Sequence, residues 1–553
     1  MIAALAPVAA LLFFISQRRY LDPDELESLY ASWLISKGQL VYRDFYQIHT
    51  PLAYYLFAPV FFFYNSLKVI GAARAAVFVL VFLNGALLFK ISRRLFNYRT
   101  AAAGLLFFLT SWPVFYKMVE IRPDIFVAIF SNLALIALFS PAGNAPVVFF
   151  LAGVCSGLAV LAKQSGLVFF ILLAVFFLFR LFTKNSRFWQ GPNFSAERFN
   201  LKTFLLFMAG FLSVISAFFL ILHLNKADSC FFAYSVNNDF FRKALLLRTE
   251  AEYWLPFKYI KDAFYFNPGS YLFALVLFPI FFISPNYRKN AGAYVFMLFL
   301  VLGCFGALFL ILHPWGQELI LPAQYLSVLA GGALIGMFEY VNSGKIRGFM
   351  RLVCLFVVPA VIIFNVLIFL RGVVQESMIS VRNPDKYFGQ IIALTNENDK
   401  CVSVHYPCLF RPSGYFYRIG TNLLESPSAR KRLDNALSAD IRRGDVKIIF
   451  PIRKLDKMPG LKELIEKNYI TRSEGFFIPG VKVDLSGEGS GGFDILVEGW
   501  YRILCLGNGV TIDGQDAAGK TVYLKMGRHQ VNAGNGSSQV SFAYDFKANR
   551  KTR

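Results

Sequence analysis

The sequence is short of charge and of histidine. Of its 553 residues, 16% are charged and five are histidines, whereas 56% are hydrophobic and the mean hydropathy is +0.51. A soluble protein of this length does not need so much apolar surface. The apolar residues also form repeated runs close to the roughly 20 residues that cross a bilayer. The composition therefore excludes an ordinary soluble protein and predicts a polytopic membrane protein.

Acidic residues are scarcer than basic ones, 34 against 56, which gives a formal net charge of +22. In a membrane protein this excess is typical of cytoplasmic loops that face anionic lipid. No segment resembles a nucleic-acid-binding module, so we expect the lipid bilayer as a partner and no nucleic acid.

Cysteine is also sparse, and none of the seven cysteines forms a C-x-x-C pair of the kind that binds metals. Cys155, Cys304 and Cys354 lie in apolar runs, where cysteine acts as a small hydrophobic residue. Cys401 and Cys408 could pair in an oxidising compartment, although their spacing alone does not decide it.

Charged residues divide the apolar part into about eleven predicted transmembrane helices. The first lacks a basic start and a small-residue cleavage site, so we interpret it as a retained helix and not as a signal peptide. The predicted spans are 1–17, 71–90, 100–117, 124–140, 146–162, 165–181, 203–222, 270–284, 291–312, 319–339 and 352–371.

Basic residues orient these spans, because cytoplasmic loops are enriched in lysine and arginine. Alternate loops carry Lys90, Arg93, Arg94 and Arg99, then Arg180, Lys184, Arg187, Arg198 and Lys202, then Arg288 and Lys289, then Lys345, Arg347 and Arg351. We therefore expect a cytoplasmic N-terminus, with 18–70, 117–123, 163–164, 223–269, 313–318 and everything from 372 onward outside. Arg18 and Arg19 fall on the outer side and run against this rule.

One apolar stretch, residues 49–67, falls in an outer loop under this topology. We expect it to be a helix lying in the membrane interface, with Thr50 as its N-cap and Pro51 as its first residue.

The tail has a different composition and predicts two water-soluble domains. Residues 372–480 alternate strand and helix patterns, with strands at "CVSVH" and "VKIIFP" and a helix around 428–443, which indicates an α/β domain. Residues 481–547 alternate apolar and polar positions between glycine turns, which predicts a β-sandwich-like module. That module could bind or position an acceptor glycan, or it could be a passive spacer. We expect residues 548–553 to be disordered.

A cluster of acids follows the first span in "YLDPDELESLYASWLISKG". Asp22 can be an N-cap, Pro23 the first helical residue, Glu25 the partner in a capping box, and Gly38 the end of the helix. Capping by itself would account for these acids.

Other ionisable residues, however, reach the same side of the membrane under this topology. They are Arg43, Asp44 and His49 in "YRDFYQIHTP", Arg122 and Asp124 in "EIRPD", Lys163 in "LAKQSG", and His313 and Glu318 in "HPWGQELILP". Each has an ordinary explanation: a helix start for "RPD", snorkelling for Lys163, an interfacial turn for His313. Together they indicate a functional site, because charge beside lipid is costly.

The order "DPDE…YRDFYQIHTPLAYYLFAP", "EIRPD", "LAKQSG" resembles the GT-C membrane glycosyltransferases, and most closely the aminoarabinose-transferase and protein O-mannosyltransferase-like superfamily, over residues 1–340. The resemblance implies a GT-C fold and transfer of a sugar from a polyprenyl-phosphate carrier on the extracytoplasmic face. It also implies catalytic roles for Asp24 and Glu25 in the first outer loop and Asp124 in the second. Related aminoarabinose transferases carry a lysine before a double proline, where this chain has "HTP" with His49 and, nearby, Arg43.

The chemistry of a polyprenyl-phosphate sugar suits these residue types. The acceptor must lose a proton as it attacks the anomeric carbon, and we assign that general base to Asp24. Arg122, Lys163, Arg43 and His49 are candidates for binding the phosphate. Asp44, Tyr46, His313 and Glu318 are candidates for binding substrate. A single displacement would invert the anomeric centre. The sequence specifies no cofactor with certainty, and a divalent metal on Asp24, Glu25 and Asp124 stays open.

The sequence therefore predicts an integral membrane glycosyltransferase of a bacterial inner membrane, with a lipid, glycan or protein acceptor. Two alternatives are a transporter that uses the outer acids for ion coupling and a membrane-anchored glycan-binding protein. Transporters favour broken helices and repeated halves at mid-membrane, and neither pattern is visible in the sequence. A glycan-binding protein leaves the outer acids unexplained.

Overall fold

The computed structural model describes most of the chain, in segments that include all but one of the predicted site residues. The described residues are 2–140, 146–183, 199–232, 250–271, 273–274, 291–309, 316–342, 349–378, 385–402, 408–413, 427–450, 452, 455–472, 475–485, 489–505, 509–534 and 539–551.

Helices account for the first two thirds of the described chain. They are α1 (Ile2–Arg18), α2 (Pro23–Ser36), α3 (Leu52–Phe57), α4 (Val60–Phe63), α5 (Lys68–Leu95), α6 (Tyr98–Leu109), α7 (Asp124–Leu138), α8 (Pro146–Ala162), α9 (Gly166–Phe182), α10 (Leu201–Leu224), α11 (Glu250–Phe266), α12 (Ala291–Leu308), α13 (Ile320–Asn342) and α14 (Phe349–Met378). Single helical turns lie at Asp228–Cys230, Pro268–Tyr271 and Gly316–Leu319, and a π-helix at Val114–Met118. Most of the predicted spans therefore have a helix at their place.

The predicted span 100–117 breaks near its middle. Helix α6 ends at Leu109, and a π-helix begins at Val114, just after Pro113. Proline has no amide hydrogen and its ring clashes with the carbonyl group four residues earlier, here that of Leu109, so it favours a kink or a break at this point. Short π-helices are common at functional sites, and this one leads directly into "EIRPD".

The stretch 49–67 also differs from its prediction. It forms two short helices, α3 and α4, and Thr50 caps neither of them. The Thr50 hydroxyl instead donates to the Val160 carbonyl oxygen at 2.7 Å and so ties this loop to α8. Phe62 and Phe63 are exposed, as expected for side chains that face lipid at the interface.

Length and hydropathy single out four described helices as able to cross a bilayer: Lys68–Leu95, Leu201–Leu224, Ala291–Leu308 and Gly316–Asn342. Further apolar helices in the described chain are shorter, such as Pro146–Ala162 and Gly166–Phe182. The total of about eleven spans stays a prediction. The predicted span 270–284 lies mostly outside the described residues, and α11 occupies a region that was predicted to be loop.

Small residues let the helices pack closely, as is common in membrane bundles. A Cβ atom at Gly153 would lie 2.0 Å from the Phe207 carbonyl oxygen. An alanine at this position would therefore force helices α8 and α10 apart. Three fully buried amides, Asn84, Asn132 and Gln324, join α5, α7 and α13, with Asn132 Nδ2 donating to Asn84 Oδ1 at 2.9 Å and to Gln324 Oε1 at 3.0 Å.

The tail is built on two sheets. Its helices are α15 (Asp385–Leu394), α16 (Pro427–Arg442), α17 (Pro459–Asn468) and α18 (Phe546–Lys551). Its strands are β1 (Lys400–Val402), β2 (Val446–Ile449), β3 (Tyr469–Thr471), β4 (Phe477–Asp484), β5 (Ser490–Ile495), β6 (Gly499–Cys505), β7 (Val510–Ile512), β8 (Gln515–Asp516), β9 (Thr521–Leu524), β10 (Gly527–Ala533) and β11 (Gln539–Tyr544). One sheet runs β1-β2-β4-β11-β6-β9 with β3 beside β4, and the other runs β5-β10-β7-β8.

A single strand crosses the predicted boundary between the two tail domains at 480/481. Strand β4 pairs with β2 and β3 over its first residues, Phe477–Pro479, and with β11 over Gly480–Asp484. The first sheet is therefore continuous through both predicted domains, and one apolar core holds Ile448 and Phe476 together with Phe493 and Phe542. The division of the tail into two separate domains, 372–480 and 481–547, stays a prediction, and the shared sheet does not favour it.

The chain end needs a correction. We predicted 548–553 to be disordered, but residues 548–551 complete helix α18. Asn549 anchors this helix, because its side-chain oxygen accepts from the Trp500 amide at 2.9 Å and its Nδ2 donates to the Trp500 carbonyl oxygen at 3.0 Å.

Candidate active site

The helix that carries the "DPDE" acids begins as its sequence predicts. Asp22 is the N-cap of α2, Pro23 is the first helical residue, and the Asp22 and Glu25 side chains complete a capping box. The helix ends before Gly38, which has φ +82° in the left-handed region that glycine adopts without a steric cost. The capping interpretation is confirmed, and it accounts for Asp22 and Glu25.

Glu25 has a second structural contact. Its carboxylate is fully buried and receives Nε of Arg74 at 3.0 Å and NH2 of Arg74 at 2.6 Å, together with the Ile121 amide at 3.1 Å. Burial alone would raise the pKa of Glu25, but Arg74 and Arg19 outweigh it and lower the pKa. A buried carboxylate held in this way favours a structural role, and the catalytic role of Glu25 stays a prediction that its burial does not favour.

A second buried acid, Glu120, organises the basic residues around it. It lies 2.5 Å from Arg19, 3.1 Å from Lys117 and in direct contact with Arg122. Arg19 is 6% exposed, so the arginine that contradicts the charge rule is a buried partner of Glu120 and not a cytoplasmic marker. We call the set Arg19, Asp22, Asp24, Glu25, Arg74, Lys117, Glu120 and Arg122 the Glu120 cluster.

Arg122 extends this cluster to Asp24. Its guanidinium contacts Asp22 at 3.0 Å and Asp24 at 2.8 Å. The Asp24 side chain is 50% exposed, whereas those of Asp22, Glu25 and Glu120 are 18%, 0% and 0% exposed. Asp24 is therefore the acid of this cluster that a substrate can reach.

A neighbouring group of polar residues centres on Lys163. The Lys163 ammonium lies 2.7 Å from Asp124 Oδ1 and 2.7 Å from Glu318 Oε1. Burial would lower the pKa of Lys163, but the two carboxylates raise it above its usual value, so the amine stays charged. Asp124 Oδ2 is buried and has no hydrogen-bond partner among the residues that the structure describes. We call His49, Asp124, Lys163, Gln164 and Glu318 the Lys163 cluster.

His49 joins the Lys163 cluster through Gln164. Gln164 Nε2 donates to the Ile48 carbonyl oxygen at 2.6 Å, so its Oε1 faces His49 Nδ1 at 3.1 Å and that nitrogen carries the hydrogen. Burial and the Lys163 ammonium lower the pKa of His49 to about 4. The imidazole is thus neutral at pH 7, and its Nε2 is an acceptor and not a positive charge.

Other predicted residues lie differently. Arg43 and Asp44 pair with each other at the surface, 2.7 Å apart. Tyr46 is buried, with its ring 6.4 Å from that of Tyr42. His313 lies outside the described residues. The predicted substrate roles of these residues stay predictions.

A metal site is not assembled in the part of the chain that the structure describes. No group of three or more histidine, cysteine, aspartate or glutamate side chains is arranged there to hold an ion. Asp24, Glu25 and Asp124 each contact a cationic side chain instead.

Sequence reasoning missed several members of the site. Arg74 lay inside a predicted apolar span, where a charged residue is itself a signal of a buried partner. Glu120 begins the quoted motif "EIRPD" and Lys117 lies three residues before it, in the π-helix, where its ammonium contacts Asp22 at 3.3 Å. Tyr54 is buried close enough to Asp24, Asp124 and Arg122 to be affected by their charges, and no sequence pattern marked it.

Comparison with known proteins finds one family model that matches part of this region. Residues 48–192 match the dolichyl-phosphate-mannose-protein mannosyltransferase family. No curated protein matches the chain by sequence.

Solved structures resemble the fold more widely. ArnT from Cupriavidus metallidurans, bound to undecaprenyl phosphate, aligns with a TM-score of 0.55 at 13% identity, over 86% of this chain and 97% of that one. The archaeal oligosaccharyltransferase AglB from Archaeoglobus fulgidus aligns with a TM-score of 0.48 at 13% identity, over 85% of this chain and 73% of that one. The S. cerevisiae Pmt1-Pmt2 complex aligns with a TM-score of 0.31 at 20% identity, over 42% and 36%.

The matched region, residues 48–192, contains His49, Arg122, Asp124 and Lys163. The membrane part with its carboxyl-terminal sheets follows ArnT over nearly the whole of that protein. The resemblance predicted from the sequence is confirmed: the chain has the GT-C fold of the polyprenyl-phosphate-dependent membrane glycosyltransferases.

Proposed function

We propose that the protein transfers a sugar from a polyprenyl-phosphate carrier to a lipid, glycan or protein acceptor by a single inverting displacement. One observation carries this proposal: within the Glu120 cluster the Asp24 carboxylate is half exposed, whereas the side chains of the other three acids are at most 18% exposed. The ArnT structure with this fold holds undecaprenyl phosphate, which supports the class of donor.

In this reaction Asp24 is the general base. The acceptor O–H or N–H gives its proton to the Asp24 carboxylate as the acceptor atom bonds to the anomeric carbon. The bond from the anomeric carbon to the phosphate oxygen breaks, and its electron pair leaves with the phosphate. No covalent enzyme intermediate forms.

Asp124 assists from the neighbouring cluster. Its Oδ1 contacts Lys163, while its buried Oδ2 has no partner and can accept a hydrogen bond from a substrate hydroxyl. A buried carboxylate oxygen without a partner is costly, so this atom is a natural place for substrate to bind.

Arg122 and Lys163 are the cations placed to stabilise the departing phosphate. His49 is neutral, so we propose that it accepts a hydrogen bond through Nε2 and does not contribute charge. The related aminoarabinose transferases have a lysine in this region of the sequence, and the positive charge of a lysine would neutralise the phosphate directly. The sugar, whether a hexose or a pentose, and the role of the tail in binding acceptor stay open within this proposal.

We further propose that the acid clusters and the tail lie outside the cytoplasm. The disulfide between Cys401 and Cys408 supports this orientation, because such bonds persist in oxidising compartments. A membrane-impermeant thiol reagent on intact cells should label Ser377→Cys and not Ser186→Cys. Labelling of Ser186→Cys without labelling of Ser377→Cys would show that the proposed orientation is inverted.

The experiment that tests the function uses Asp24→Asn in purified full-length protein in nanodiscs. Asparagine fits the first turn of a helix, so the free energy of unfolding should change by less than about 1 kcal/mol. Asparagine cannot accept the proton, so turnover should fall roughly 100-fold or more. The measurement is release of undecaprenyl phosphate from a panel of undecaprenyl-phosphate pentoses and hexoses, with a cell-envelope extract as the source of lipid, glycan and protein acceptors.

The matched control is Asp228→Asn, which removes a partly exposed acid, paired with His223, from another loop predicted to lie on the same side. It should leave both turnover and stability nearly unchanged. Normal turnover by a well-folded Asp24→Asn protein would return the "DPDE" acids to a purely structural role.

A further inference from the structure

A turn in the tail reaches into the membrane part and contacts the helix that bears Asp24. The turn comprises residues 408–413, in which the Arg411 amide donates to the Cys408 carbonyl oxygen at 3.1 Å. Cys408 belongs to the apolar core of the tail, whereas Leu409 and Phe410 belong to the core of the membrane part. Three consecutive residues thus connect the two cores.

Phe410 is the side chain that makes the connection. It is 5% exposed, and its ring lies edge-on to Trp33 of α2, with centroids 6.3 Å apart, and to Phe61 of α4, with centroids 6.0 Å apart. On the same side, the Tyr30 hydroxyl of α2 donates to the Arg411 carbonyl oxygen at 3.1 Å. Helix α2 is therefore held by the turn at two positions one helical turn apart.

The backbone at Phe410 adopts φ +65°, a left-handed conformation that side-chain-bearing residues rarely take. Such a conformation persists where surrounding contacts impose it. Here the conformation points the ring out of the tail and into the membrane part, so the strained residue is also the connecting one.

The tail holds the base of this turn rigidly. The buried Arg411 guanidinium bonds to Thr395 Oγ1 and to the carbonyl oxygens of Ile392 and Thr395, which closes the end of helix α15. The Cys401 amide donates to the Pro412 carbonyl oxygen at 3.0 Å, and the Cys401–Cys408 disulfide fixes the turn to strand β1. Both cysteines are at most 4% exposed, so this disulfide braces the turn and is not open to reductants.

We infer that residues 408–413 form a latch by which the tail fixes helix α2, and that Phe410 is a positioning residue for the transfer reaction. Helix α2 carries Asp24 in its first turn, and Tyr30 and Trp33 in its second and third turns. Small displacements of a catalytic group can lower turnover by orders of magnitude. The part of this inference that concerns turnover rests on the proposed function.

The test uses full-length protein in nanodiscs with Phe410→Gly. Glycine keeps the left-handed turn without strain but removes the ring. We expect hydrogen exchange of the α2 amides to rise about 10-fold or more while the tail strands keep wild-type protection. We also expect kcat to fall about 10-fold with the KM for the donor within about 2-fold, and Phe410→Leu to restore most of kcat.

Two further variants separate the latch from loss of tail folding. Phe493→Leu removes a buried ring whose ring contacts, His529 and Phe542, lie on strands β10 and β11 of the tail, so it should leave α2 exchange and kcat unchanged. Phe61→Ala removes the ring of α4 that lies against Phe410 and leaves the tail unaltered. Like Phe410→Gly, it should raise the hydrogen exchange of α2 and lower kcat.

Unchanged α2 exchange in both Phe410→Gly and Phe61→Ala would overturn the latch. Faster α2 exchange with normal kcat would overturn the positioning role of Phe410 and leave the proposed function intact. Failure of the wild-type protein to release undecaprenyl phosphate from any donor in the panel would count against the proposed function, while the exchange data would still decide the latch.

Discussion

The two charged clusters of the site lie side by side but are built on different principles. The Glu120 cluster pairs four acids, Asp22, Asp24, Glu25 and Glu120, with four cations, Arg19, Arg74, Lys117 and Arg122. The Lys163 cluster pairs two acids, Asp124 and Glu318, with one lysine, while its histidine is neutral. The first cluster is electrically balanced, and the second has an excess negative charge and a free carboxylate oxygen.

This difference indicates a division of labour. A balanced buried network holds elements that are far apart in sequence, here α1, α2, α5 and the π-helix region, in one arrangement. A network with an unsatisfied acceptor is better suited to bind substrate, because a ligand can supply the missing hydrogen bond. Asp24 lies at the exposed edge of the balanced cluster, where a fixed framework orients a reactive group.

The largest effect should come from breaking the balanced cluster. Glu120→Gln leaves three buried cations around a neutral side chain, and an unpaired buried charge typically costs about 3–5 kcal/mol. We expect a loss of that size in the free energy of unfolding, measured by denaturant titration in detergent micelles. A loss below about 1 kcal/mol would show that the cluster is not a structural framework.

A smaller effect, on activity and not on folding, should follow from altering the unbalanced cluster. In Asp124→Asn the amide oxygen can still accept from Lys163, but the second carboxylate oxygen becomes a donor. We expect turnover to fall about 10- to 100-fold, equivalent to about 1.4–2.7 kcal/mol in the activation barrier, with a change in stability under about 1 kcal/mol. Matched losses of stability and turnover would contradict the division between the clusters.

The smallest effect is a pH dependence that comes from His49. Burial and Lys163 lower its pKa from 6.5 to about 4 in the folded protein, so the unfolded chain takes up the proton first as the pH falls. Its contribution to stability is complete above about pH 6.5 and is lost between about pH 6.5 and 4, by at most about 2 kcal/mol at pH 5.

The groups that act on His49 are Lys163, Asp124, Gln164 and Asp24. The measurement compares melting temperatures of the wild type and His49→Asn between pH 7.5 and 5, because asparagine can still donate to Gln164. The wild type should lose more stability than the variant. Parallel pH curves would show that His49 does not titrate in this range.

The start of α2 was predictable in detail. Asp22, Pro23 and Glu25 follow local capping rules that act within four residues, and the structure confirms them. Long apolar runs likewise indicated most helices within a few residues of their observed bounds, because bilayer thickness limits their length. The break after Leu109 could have been predicted from Pro113 by the same kind of local rule.

The partners of the acids could not be predicted in this way. Glu25 and Arg74 are 49 residues apart, Glu120 and Arg19 are 101 apart, and Phe410 lies far along the chain from Trp33. A sequence pattern does not encode which buried charges meet, since that depends on how the helices pack.

The amino-acid sequence by itself determined the membrane class, the position of the helices, the cap of α2 and the set of residue types at the site, because these depend on hydropathy and on short-range hydrogen bonds. Only the tertiary structure showed that Glu25 is buried against Arg74, that Asp24 is the exposed acid of its cluster, that His49 is buried beside Lys163, and that a turn of the tail contacts α2. Burial and long-range pairing set these properties, since the same carboxylate or imidazole changes its protonation and its access with the groups that folding brings around it.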